Sequence, residues 1–278
     1  MTGPMESILN RLYPAWVIAC KSAGRALFRK RCLIIAAVCG LPILAALAFR
    51  ISIRPQPPGQ HLALGGYQFY ANLQATAFLQ FLIPIVPLFL GTAAINDEIE
   101  EKTLIFLFLR PVSKFLIVLA KTVSVMISST VILGITGVLV FLICASTTGA
   151  AMLPGDLPLL MKDLWVYAMA SFAYAGFFLF LGVMFRHPHI PALIFVFAWD
   201  EYAAYLPGSA GILNIKHYVT SIFPHEADQE SFLHVLSYHE PVQPFLAVLV
   251  LLGIGFVFSF LAFAVFQSKD YGFEKASA

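Results

Sequence analysis

The side chains able to do chemistry in this sequence are few, and they fall into three groups. Asp97, Glu98, Glu100 and Glu101 place four carboxylates in five residues, just ahead of an unbroken apolar run from Leu104 to Leu109. Asp200 and Glu201 follow Trp199 near the end of another apolar segment. His217, His225, His234 and His239 share a polar segment with Glu226, Asp228, Glu230 and Glu240. Adjacent carboxylates at the end of a membrane span are costly unless hydrated or paired. Trp199, Asp200 and Glu201 therefore either line a translocation path or gate, or end a helix and pair with Lys216 or backbone amides. A proton relay through the same acids is a third option. The histidine spacings of eight, nine and five match no compact metal-ligand pattern. The four read as surface residues of a polar loop, with no metal site.

Other catalytic signatures are missing. There is no G-x-x-x-x-G-K-[ST] phosphate loop, so the chain by itself is not an ATPase of that type. There is no G-x-S-x-G or H-E-x-x-H arrangement to support nucleophilic or zinc-dependent hydrolysis. Cys20, Cys32, Cys39 and Cys144 are scattered, which argues against a disulfide framework or a zinc site and leaves them as small apolar fillers. The expectation is a chain that is not an enzyme and carries no cofactor of its own.

These groups must be positioned by a chain that is nearly all oil. Of its 278 residues 60% are hydrophobic and only 12% charged, where a water-soluble domain carries about 25% charged residues. The class is all-α, a polytopic membrane protein. Six apolar segments read as transmembrane helices, at about 32–49, 69–95, 115–145, 164–185, 190–205 and 245–266. The fifth is short. Pro84 and Pro87 bend the second, and the stretch with Pro154, Gly155, Asp156 and Pro158 reads as a loop. Residues 1–31 form a separate unit: Lys21, Arg25 and Arg29 make one helical stripe, and Leu12, Trp16, Ala19, Ala23 and Leu27 another. Such a basic amphipathic helix lies on an anionic membrane face, and its basic region is too long for a signal peptide. No nucleic-acid module accompanies it; lipid headgroups or a protein partner explain it better.

Lysine and arginine set the orientation. With the N-terminus in the cytoplasm, the inner segments hold thirteen of them: six in the first 31 residues, four from Lys102 to Lys121, Arg186, and two in the tail. The outer segments hold Arg50, Arg54, Lys162 and Lys216. Both termini are therefore expected in the cytoplasm and the histidine-bearing segment outside.

Asn96 to Lys121 is then a cytoplasmic turn between the second and third spans. It resembles the corresponding turn of ABC-2-type permeases, whose pattern is Glu-x-Glu-x-Gly-Thr, a Leu-rich run, Pro, an apolar residue, Ser-Arg, and a later Gly-Lys. Glu98, Glu100, Thr103, Leu104, Leu107, Pro111, Val112, Ser113, Lys114 and Lys121 fall in register. Lys102 replaces the usual Gly, Lys114 the commoner Arg, and Ala120 the Gly before Lys121. The passage Trp199-Asp200-Glu201, then Leu206-Pro207-Gly208, then Lys216-His217-Tyr218 is similar to a second passage of the family, with Asp200 where Glu is usual.

The resemblance implies a six-span permease of the type V-like ABC exporters, working as a homodimer with a separate ABC ATPase subunit that holds ATP and Mg. It implies a coupling helix in contact with that ATPase, here Glu98, Glu100, Glu101, Thr103, Leu104, Phe106, Leu107, Arg110, Pro111 and Lys114. It also implies that residues 1–31 form a connecting helix and that spans two and five meet at the dimer centre. The location is the inner (plasma) membrane, most simply of a prokaryote. The outer ends of spans two and three are aromatic and weakly polar, which favours an apolar or amphipathic cargo such as a lipid, peptide or drug; a metal-related cargo is the alternative. An intramembrane enzyme, or an ion- or proton-coupled carrier using Asp200 and Glu201, fits the composition but leaves the turn at 96–121 unexplained.

Overall fold

A computed structural model describes residues 31–52, 62–100, 113–148, 153–200, 214–225 and 242–268. They are helical with short connections, and no strand occurs among them. The elements are α1 (Arg31–Ser52), α2 (Leu62–Leu73), a π-helical stretch π1 (Gln74–Leu82), α3 (Ile83–Glu100), α4 (Lys114–Thr148), α5 (Leu153–Met184), α6 (His189–Ile194), a second π stretch π2 (Phe195–Asp200), α7 (Ile215–Ile222) and α8 (Pro244–Ser268). Residues 1–30, the expected amphipathic helix, lie outside the described residues.

Five helical stretches are long and apolar enough to cross a membrane: Leu33–Ser52, Gly66–Asn96, Lys114–Ser146, Leu157–Met184 and Pro244–Ser268. The expected fifth span, 190–205, is described only as far as Asp200. There it is a shorter apolar helix, His189–Asp200. The fourth helix starts earlier than expected. Pro154, Gly155 and Asp156 belong to the first turn of α5 rather than to a loop. The physical reason is that the first amides of a helix have no intrahelical partner, so a proline there forfeits no bond.

Helix α5 is the axis of the bundle, and α3, α4 and α8 all pack along it. Its middle, from Ala170 to Ala175, is buried on all sides. The outer helices bury one narrow stripe each. In α8 the stripe is Ala247, Leu251, Gly255, Ser259, Ala262 and Phe266, and the rest of the helix exposes side chains such as Phe245, Leu249, Phe256 and Phe260. In α1 it is Ile35, Cys39 and Ala46, with Leu33, Leu41, Leu44 and Ile51 exposed. Helices this apolar on their outer faces belong in lipid, where the drive to associate comes from close packing rather than from water. Small residues supply that packing. A Cβ on Gly176 would lie 2.6 Å from the Gly255 carbonyl oxygen, and one on Gly91 would lie 2.9 Å from the Phe178 Cβ. Only glycine lets these backbones meet.

Contacts distant in sequence fix the two ends of the bundle. At one end the Arg50 guanidinium meets the Ser146 hydroxyl, and Tyr70 meets Asp163. At the other end Thr92 meets His189. The core cluster of Ile95, Val118, Val183 and Phe266 also joins four helices. The chain thus runs up and down, and α7 lies at the Asp163 end. The second span contains π1 just ahead of Pro84. There the Ile83 amide bonds back to the Phe78 carbonyl, five residues earlier. Widened turns of this kind recur at functional positions.

Candidate functional site

One face of α5 carries the polar residues Asp163, Tyr167, Ser171 and Tyr174. The spacings of four, four and three put them on a single helical stripe. All four are buried. Polar groups cost free energy in such a place unless they are hydrogen-bonded; Asp163, Tyr167 and Tyr174 meet that cost through bonds to other parts of the chain, whereas the Ser171 hydroxyl is buried without a partner.

The first connection reaches π1 and α2. The Tyr167 hydroxyl donates to Gln74 Oε1 at 2.6 Å, and Gln74 Nε2 donates to the Tyr70 hydroxyl at 2.8 Å. Tyr70 in turn donates to Asp163 Oδ2 at 2.8 Å. His225 Nε2 lies 2.9 Å from the same Oδ2, beyond the C-terminus of α7. Every donor in this chain of bonds points toward the Asp163 carboxylate, an arrangement in which each bond polarises the next. Aromatic rings enclose it: Tyr70 stands edge-on to His225 at 5.4 Å, Phe223 lies at 5.4 Å from the same imidazole, and Phe78 stacks on Tyr167 at 5.6 Å. Two atoms of the cluster, Asp163 Oδ1 and His225 Nδ1, are buried without a hydrogen-bond partner.

The second connection reaches π2 and the start of α7. The Tyr174 hydroxyl donates to Asp200 Oδ2. The Asp200 carbonyl accepts from Asn214 Nδ2 at 2.7 Å. The Lys216 amide is shared between Asn214 Oδ1 at 3.0 Å and Asp200 Oδ1 at 3.3 Å. Asn214 is the N-cap of α7, and its side chain satisfies one of the amides that a helix start leaves open. Burial pushes the pKa of the Tyr218 hydroxyl on α7 up from the usual tyrosine range. Thus each π stretch supplies one buried polar residue, Gln74 or Asp200. Each of these is held by a tyrosine of α5, and each network continues into residues 214–225.

The opposite end combines close packing with side-chain hydrogen bonds. A Cβ on Gly182 would sit 3.0 Å from the Thr92 carbonyl oxygen. Thr92 Oγ1 lies 2.9 Å from His189 Nδ1. This is the end of α3 that leads into the 101–112 segment.

The residues singled out from sequence are distributed as follows. Asp200 is 2% exposed and Trp199 39%, so the acid is buried and the indole partly open; Glu201 lies outside the described residues. Helix α3 runs through Glu98 and Glu100. Glu101, Thr103, Leu104, Phe106, Leu107, Arg110 and Pro111 lie outside the described residues. Lys114 opens α4 and is exposed. The Ser113 hydroxyl accepts from the Leu116 amide at 3.4 Å in the first turn. His225 is corrected: it is a core residue paired with Asp163, not a surface residue of a polar loop. Beside the neighbouring Phe223, its ring partners Tyr67 and Tyr70 come from α2, which the surrounding sequence does not reveal. His234 and His239 lie outside the described residues. Among the described residues no three His, Cys, Asp or Glu side chains come together to hold a metal ion. Asp163, Tyr167, Tyr174, Gln74 and Tyr70 were not singled out as site residues. For Asp163, Tyr167 and Tyr174 the signal was the periodic polar face of α5.

Nothing in either network presents a nucleophile to a substrate. What the arrangement can do is hold the second span, the fourth span, π2 and the 214–225 segment in one position at one end of the bundle. Packed, bistable contacts of this kind underlie conformational switching. No curated protein matches the chain. The family model described as ABC-2 family transporter protein matches residues 17–271, nearly the whole sequence. With its apolar helices and its lack of a phosphate loop, the chain belongs to the ABC-2 transporter family and is a membrane-spanning permease subunit of an ABC transporter.

Proposed function

We propose that this permease is the membrane half of an ATP-driven exporter, in which the 96–121 turn receives the stroke of a separate ABC ATPase. ATP and Mg belong to that partner. The observation that carries the reading is the glycine contact between α3 and α5. Gly91 and Gly182 leave no slack between the end of the second span and the central helix. A push on the turn therefore moves α5 with α3, and α5 holds both polar networks at the far end. Opening that end exchanges buried hydrogen bonds for bonds to water, so the two states can lie close in energy.

In this reading the chain has six spans, His189–Asp200 belongs to the fifth, and both termini and the 96–121 turn are cytoplasmic. Two copies pair in the inner membrane of a prokaryote. Lipid covers the outer faces of α1, α4 and α8. The cargo is apolar or amphipathic, since no basic cluster lies within the spans. Sidedness is tested by single cysteines in a background lacking Cys20, Cys32, Cys39 and Cys144. Gln60→Cys, Gly155→Cys and Gln229→Cys should react with an impermeant thiol reagent from outside, and Ser113→Cys should not. Labelling of Ser113→Cys alone would invert the orientation.

A further inference from the structure

The second span has a buried face that an ordinary helix would not keep. Gly66, Tyr70, Gln74, Phe78 and Leu82 are all buried, at strict spacings of four. In an α-helix each such step drifts by about 40°, so four steps would carry Leu82 about 160° around from Gly66. The column stays on one face because the helix is wide across π1, where the Ile83 amide reaches back five residues to the Phe78 carbonyl instead of four. A second buried column lies beside the first, one residue later: Ala71, Ala75, Leu79 and Ile83. Ahead of the wide turn the first column carries Tyr70 and Gln74, which bond to α5, and the second carries two alanines.

Tightening the wide turn to an ordinary one has a defined result. With α3 fixed, the span ahead of Phe78 turns by about 100° and lengthens by about 1.5 Å, so each residue takes the place its predecessor held. Ala71 takes the place of Tyr70 and Ala75 that of Gln74. The face toward α5 changes from polar to small and apolar. The wide form has bonds from Tyr167 to Gln74, from Gln74 to Tyr70 and from Tyr70 to Asp163. The tight form has the commoner, closer-wound helix. Pro84, directly behind the wide turn, has no amide to give to either ladder, which lowers the cost of changing from one to the other.

We infer that π1 is a two-position turn in the second span, held wide by the Tyr167–Gln74 bond. Wide, it presents Tyr70 and Gln74 to α5; tightened, it presents Ala71 and Ala75 and releases α5. Within the transport reading above, and resting on that reading, this is the movement by which a push along α3 opens the far end. The two positions themselves rest on this chain alone.

The test uses the full-length protein in detergent, with a trifluoromethyl label on Gln68→Cys in a background lacking Cys20, Cys32, Cys39 and Cys144. Neither ATPase nor cargo is present, so failure of the transport reading would leave the outcome untouched. Gln68 is exposed on α2, and tightening carries it to the partly buried place of Tyr67, beside His225. Fluorine NMR then shows the two positions as two signals. In Tyr167→Phe and in Gln74→Leu the second signal should grow at least about fivefold over the wild type. Tyr174→Phe breaks the buried bond to Asp200 on π2 but leaves the three bonds above intact, and it should keep the wild-type ratio. Deleting Phe81, an exposed residue of the wide turn, makes the Ile83-to-Phe78 bond an ordinary four-residue one with Tyr70 and Gln74 still facing α5. That variant should show one signal, and adding Tyr167→Phe should not split it. No second signal above about 1% in both Tyr167→Phe and Gln74→Leu would overturn the inference, as would equal growth in Tyr174→Phe or in the Phe81 deletion.

Discussion

Removing a single oxygen from the central helix should have a measurable cost, because the bond it makes has no substitute. The Tyr167 hydroxyl is completely buried and donates to Gln74 Oε1, itself completely buried. Tyr167→Phe keeps the ring and its stacking on Phe78 but leaves the amide oxygen without a donor. In soluble proteins such a stranded acceptor costs about 1–3 kcal/mol. In membranes hydrogen bonds average about 0.6 kcal/mol and reach about 1.7, because the unfolded chain also finds partners. Here both partners are dry and belong to a longer chain of bonds, which places the expected loss near the upper end, at about 1–2 kcal/mol. Gln74→Leu strands the Tyr167 hydroxyl instead and should cost a similar amount. The Tyr70 hydroxyl keeps Asp163 as its acceptor in that variant, so it adds little. The double variant removes donor and acceptor together and should be more stable than the sum of the singles predicts, by about 0.5–3 kcal/mol. Reversible unfolding in mixed micelles measures all four species of this cycle. A Tyr167→Phe loss below about 0.5 kcal/mol, or strict additivity in the cycle, would refute the bonded stripe.

Two further pairs of substitutions probe the packing and the second network. Gly176→Ala brings a methyl against the Gly255 carbonyl and should cost about 1–3 kcal/mol, while Gly253→Ala, with nothing within 4 Å of its Cβ, should stay within about 0.5; both are read from the same unfolding assay. Asp200→Asn turns an acceptor toward the Lys216 amide into an NH₂ group or forfeits the Tyr174 bond, so exchange across 214–222 should rise; Glu201→Gln should leave it unchanged, and equal behaviour of the two would make the Asp200 contacts incidental.

The apolar runs made the membrane class and five of the crossing helices legible, because length and hydropathy alone decide whether a helix can span. The third span, expected from about 115, starts at Lys114, just behind Ser113, whose hydroxyl accepts from the Leu116 amide. Pro154 misled in the opposite sense: proline reads as a loop signal, yet in the first turn of α5 it is a helix starter. The polar stripe of α5 was harder to read. Tyr167 and Tyr174 count as hydrophobic in any composition, so their hydroxyls vanish into the apolar run that contains them. Asp163 sat one residue outside the expected span and beside Lys162, where it looked like ordinary loop charge. The partners of Asp163 are 93 residues before it and 62 after it, and local pattern contains no information about such pairings. Gln74 and Asp200 are buried polar residues on widened helical turns. Those turns arise from packing that the sequence does not display.

The coupling of this subunit to an ATPase through the 96–121 turn is tested most directly by placing a charge in the middle of its apolar run. Phe106→Asp and Leu107→Asp should each abolish co-purification of the ABC ATPase and its stimulated ATP hydrolysis, because an unpaired buried charge costs about 3–5 kcal/mol. The spans should still insert and pair. Lys114→Ala, at the exposed start of α4, should weaken the complex by only about 0.2–1 kcal/mol. Wild-type complex and turnover in both aspartate variants would contradict the account and leave this turn facing lipid.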